Sequence, residues 1–110
     1  MDGFRVLVVY ESEDVAKMPV TQSAVLFSKD VRGYLNSKCV IGADGVTREW
    51  RIWDKDTNVA AESKHWQDAM TREKKSIPWI LISDGKKGYE GPLPATVADT
   101  MKLLKQYGGE

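Results

Sequence analysis

The side chains in this sequence that could do chemistry are few. It has one cysteine, Cys39, and one histidine, His65. A cysteine is nucleophilic or metal-binding only as the thiolate, which a helix N-terminus or a neighbouring cation favours. Cys39 falls instead at the far end of an expected helix, where the carbonyl end of the dipole disfavours the thiolate. Two readings stand for it: a small buried hydrophobe, or a reactive monothiol that could pair between molecules under oxidation.

His65, with Asp54 and Asp56 upstream, offers metal-ligand types but no recognised ligand spacing. Asp54-x-Asp56-x-Asn58 has the opening of a calcium loop. Val59 then stands where that loop needs glycine, and His65 where it needs a bidentate glutamate. The simpler reading is a polar turn at 54–56 and a solvated histidine beside Trp66. Ser23, Ser28, Ser63 and Thr96 supply hydroxyls, but none lies in a nucleophile-elbow pattern, and any such site would depend on the one histidine. Helix capping accounts for Ser28, Ser63 and Thr96 more simply. There is no glycine-rich phosphate loop, because the 85–91 stretch follows the wrong element and precedes Pro92. Arg72, Lys74 and Lys75, interrupted by Glu73, read as a solvated face. No catalytic residue, metal or cofactor is expected.

The elements that must position these groups belong to a short chain. Its 110 residues fit one domain, 1–110, and 42% hydrophobic with 29% charged residues is a globular composition, not a disordered one. Sixteen basic residues balance sixteen acidic ones. A net charge of zero gives no long-range attraction to a polyanion, so no nucleic-acid partner is indicated. It also gives little repulsion between copies, so a homo-oligomer is admissible. One cysteine precludes an internal disulfide. The start, Met1-Asp2-Gly3-Phe4-Arg5, is too polar for a signal peptide, and the apolar runs 6–9 and 77–82 are far short of a membrane span. The expectation is a cytoplasmic protein with no membrane partner.

Val6-Leu7-Val8-Val9-Tyr10 predicts a central strand buried on both faces. Pro19 suits the first turn of a helix, with 20–27 following either as part of one helix with the next segment or as a separate turn. Ser28 caps a helix over 29–38, through Val31, Tyr34 and Leu35. Residues 42–45 form a turn, and 49–53 alternate as a strand, with Trp50 and Ile52 on one face and Arg51 and Trp53 on the other. A second helix capped by Ser63 runs to about residue 74 on a Trp66, Ala69, Met70 stripe. Trp79-Ile80-Leu81-Ile82 is a buried strand, Asp84-Gly85 a hairpin turn, and 87–90 the return strand. Gly91-Pro92-Leu93-Pro94 is expected to break regular structure. A last helix begins at Thr96 and ends at Gly108-Gly109.

The order β-α-β-α-β-β-α needs a parallel first pair and an antiparallel hairpin, hence α/β architecture: a four-stranded mixed sheet with helices on both faces. Together with Ser76-Ile77-Pro78-Trp79-Ile80-Leu81-Ile82-Ser83-Asp84-Gly85 and Gly88-Tyr89-Glu90-Gly91, this order resembles the thioredoxin-like fold. The resemblance covers most of the chain by element order and residues 76–91 by motif. It implies a cis peptide bond before Pro78 at the start of the third strand. It also implies a cysteine at the head of the first helix, and here the chain departs. The matching stretch, 11–23, has no cysteine and carries Glu11, Glu13 and Asp14. Dithiol redox activity is therefore not expected.

What the resemblance leaves is a redox-inactive module that binds or assembles with a protein partner. The surface it implies is formed by Met18, Pro19, Ile77 and Pro78, with Trp53 as a candidate anchor. Trp79 is expected in the core. The alternative is an oxidoreductase that uses Cys39 as a monothiol, or handles glutathione in the pocket beside Pro78.

Overall fold

The structure, a computed structural model, describes residues 3–42 and 44–109. Met1, Asp2 and Ala43, which belong to the polar start and the expected 42–45 turn, lie outside the described residues.

Four strands form one open mixed sheet. They are β1 (Arg5–Tyr10), β2 (Trp50–Asp54), β3 (Trp79–Ser83) and β4 (Gly88–Pro92), in the order β2-β1-β3-β4. β1 is parallel to β2 and antiparallel to β3, and β3 is antiparallel to β4. The four-residue run Val6 to Val9 is at most 4% exposed. β1 is thus central, as its continuous β-branched sequence requires.

Alternation along β1 divides the core into two layers. Val6 and Val8, with Ile80 and Ile82, face α1 (Val20–Phe27), α2 (Lys29–Lys38) and α4 (Val97–Gly108). Leu7 and Val9, with Leu81, face α3 (Lys64–Thr71) through Trp66, Ala69 and Met70. Helices therefore cover both faces, three on one side and one on the other.

Residues 20–27 form a helix separate from 29–38. Ser28 is extended (φ −65°, ψ 126°) and its Oγ accepts from the Val31 N–H at 3.1 Å, which starts α2. Arg32 turns back to donate to the Leu26 carbonyl at 2.8 and 3.2 Å, which closes α1. Thr96 caps α4 by accepting from the Asp99 N–H at 3.1 Å.

Three expectations need correction. α3 ends at Thr71, not near 74, because Lys74 folds back and its Nζ donates to the carbonyls of Ala69, Met70 and Arg72. Ser63 occupies the N-cap position of α3, but its side chain makes no capping bond. Gly91 and Pro92 do not break the sheet: they pair with Ile80 and Trp79 at the end of β4, an edge strand that tolerates a proline.

The β3–β4 turn is held by Asp84, whose Oδ1 accepts from the Lys86 and Lys87 N–H groups, while Gly85 takes φ +91°. The Ile77–Pro78 peptide bond is cis, as expected. No helix among the described residues is long and apolar enough to cross a membrane.

Candidate functional site

The carboxyl ends of β1 and β2 and the start of β3 meet at one end of the sheet, where Trp53, Val9, Trp79 and Pro92 form a row across the strands. Of the surface expected from the sequence, Trp53 lies in this row and Ile77 and Pro78 directly precede it at Trp79. The structure brings Trp53 and Ile77 together, both packed on the α3-side cluster of Leu7, Val9 and Trp66. Met18 belongs to the opposite layer, with α1, α2 and α4. Pro19 is exposed at the head of α1, next to Val20, which is 83% exposed. The head of α1 is tied to this end by Gln22, whose Nε2 donates to the Pro94 carbonyl at 2.8 Å. The Pro78 carbonyl accepts from the Leu93 N–H at 3.0 Å.

Trp53 is half-buried. It meets Trp66 edge-on with centroids 5.8 Å apart, and the Arg51 guanidinium lies 5.8 Å from its ring centre. Trp79 is 6% exposed and its indole nitrogen has no hydrogen-bond partner.

The stretch 11–23, which would carry a cysteine in the thioredoxin-like pattern, folds as a 3-10 turn over Ser12–Lys17 followed by the start of α1. It is held down by Asp54, whose Oδ2 accepts from the Ser12 N–H at 2.7 Å. Glu11, Asp54 and Asp56 place carboxylate oxygens within 4.8 Å of one another. The cation this trio needs is supplied by the chain: Lys55 Nζ lies 3.1 Å from Glu11 Oε2 and 3.2 Å from Asp56 Oδ2. Those two hydrogen bonds are also what raises the Lys55 pKa. Asp54 and Asn58 accept from the N–H groups of Asp56 and Ala60, so both shape the turn.

His65 is not part of that trio. It sits half-buried on α3, with Nε2 3.6 Å from Glu49 Oε1 and Nδ1 3.2 Å from Ser63 Oγ. Hydroxyl, imidazole and carboxylate follow the order of a nucleophile, its base and its orienting acid. The distances do not make a relay. The carboxylate lies beyond hydrogen-bond range. The Ser63 hydroxyl is also 3.5 Å from Nε2, so it meets the ring edge and not one nitrogen.

Glu49 serves the neighbouring indole instead: its Oε2 accepts from Trp66 Nε1 at 2.9 Å, with the two residues 6% and 3% exposed. Arg51 covers the pair, 3.9 Å from Glu49 Oε2 and 4.9 Å from the Trp66 ring centre. Sequence reasoning missed this role of Glu49, because a glutamate at the head of a strand carries no sign of burial.

Cys39 is fully buried beneath α2, in the cluster with Leu35 and Phe4. Burial pushes its thiol up to about 12, and the nearby Arg48 only partly opposes this. A thiol held neutral and out of solvent is neither nucleophile nor ligand at neutral pH. No protein-family model matches this chain, and no curated protein or solved structure is significantly similar to it.

Proposed function

We propose that this chain is a redox-inactive, thioredoxin-like module that binds a protein partner at the end of the sheet where β3 begins. The observation that carries the reading is the head of α1, where exposed Pro19 and Val20 stand in place of a thiol. An exposed proline–valine step beside half-buried Met18 is apolar surface on a rigid helix start, suited to a partner's side chains. A mixed four-stranded sheet with helices on both faces, and a proline opening its third strand, supports the fold part of the reading. The oxidoreductase alternative has no support from Cys39, which is buried and protonated. A cytoplasmic setting belongs to the same proposal, since nothing in the chain's chemistry needs an oxidising compartment.

Two experiments test it. The protein should not accelerate disulfide reduction of insulin by dithiothreitol; acceleration would overturn the redox-inactive part. A partner captured on the immobilised protein should be lost with Val20→Asp and retained with Val46→Asp, Val46 being 79% exposed on a loop outside α1. Equal capture by both variants, with both folded by circular dichroism, would remove the proposed surface. Capture of a second copy of the chain alone would make the module a homo-oligomer.

A further inference from the structure

α3 is only eight residues long and leaves part of its side of the sheet uncovered. The space between its outer end and the β3–β4 hairpin is a cleft of about 560 Å³. That volume lies within the range of small-molecule sites, roughly 300–1,000 Å³. It is at the opposite end of the sheet from Pro78 and does not depend on the reading above.

The floor of the cleft is apolar, made by Leu7 of β1 and Leu81 of β3, and Trp66 and Ala69 of α3 form one wall. The polar side chains lining the cleft include two guanidinium groups. Arg5 comes from the start of β1 and Arg72 from the position just past the end of α3; His65 of α3 also lines the cleft. Among the described residues the one carboxylate lining the cleft is Glu90, and Arg72 Nε already donates to it.

The geometry points to a binding site for a small aromatic carboxylate, its ring on Leu7 and Leu81 and its charge at Arg5 and Arg72. An apolar floor alone would take any hydrophobe. Guanidinium groups from two elements select an anion, because their paired N–H donors match a carboxylate's two oxygens. Glu90 would then give up part of its hold on Arg72 to the ligand.

The test is titration of the folded protein, followed by backbone NMR, with benzoate, 2-naphthoate and indole-3-acetate, and with uncharged 2-naphthamide as the control. Saturable shifts are expected at Leu7, Ala69 and Leu81, with the carboxylate binding at least about tenfold tighter than its amide. Ala69→Phe, which fills the cleft, should abolish those shifts. Arg72→Gln, at an exposed position, should weaken 2-naphthoate severalfold and leave 2-naphthamide unchanged. Arg5→Gln should do the same if it folds. No saturable shift from any of the three acids at about 10 mM, equal binding of acid and amide, or shifts confined to residues outside the cleft would each overturn the proposal.

Discussion

The indole N–H of Trp66 donates to a carboxylate oxygen of Glu49 at 2.9 Å, joining α3 to the head of β2 inside the protein. α3 is the only helix on its side of the sheet among the described residues, so this bond anchors that whole layer. Glu49→Ala would leave a buried indole N–H without an acceptor and is expected to cost about 2–3 kcal/mol. Glu49→Gln keeps an acceptor and should cost about 1 kcal/mol. Urea unfolding followed by tryptophan fluorescence measures both, and an alanine variant as stable as the wild type would refute the anchoring role.

Cys39 ties stability to alkaline pH. Its folded pKa, about 12, lies above the ordinary 9.0, so the folded state keeps a proton that the unfolded chain loses. The stability this gives is complete below pH 9 and falls as pH rises toward 12. Between about pH 8 and 10.5 the wild type should lose about 2 kcal/mol more than Cys39→Ala does. Parallel profiles for the two proteins would mean that the thiol ionises freely.

A second titrating group lies on the surface. The Asp44 pKa is lowered to about 2, first by the Thr47 hydroxyl and then by the N–H groups of Val46 and Thr47. The contribution of this loop is present above the ordinary carboxylate range and lost as pH falls toward 2. Thr47→Val should move the Asp44 titration upward, read from its side-chain carbon by NMR. An unmoved midpoint would assign the shift to the backbone groups alone.

Thr96 caps the longest helix in the structure, and its main-chain carbonyl also accepts from the Thr100 hydroxyl at 2.8 Å. Thr96→Ala should cost about 1 kcal/mol through loss of the side-chain cap, and Thr96→Ser much less. Thermal unfolding compares the two; equal losses would mean that the methyl group matters and not the hydroxyl.

Much of the architecture was legible because its signals are local. The apolar run at Val6 to Val9, the cap at Ser28, the Asp84-Gly85 turn and the cap at Thr96 each act within a few residues. The expected 29–38 helix therefore matches α2 residue for residue. The boundaries that differed depend on distant partners. β4 extends to Pro92 because β3 offers it a ladder, and α3 stops at Thr71 because Lys74 folds back on its last carbonyls.

By itself the sequence determined that this is an α/β chain, and that no thiol stands at the head of its first helix. Residue type and spacing decide both of these. Only the tertiary structure decided which polar groups meet. It separated His65 from Asp54 and Asp56, set it beside Glu49, sixteen positions earlier in the chain, and left a cleft beside a short α3. Such meetings depend on strand order and helix length, and no local pattern of residues records them.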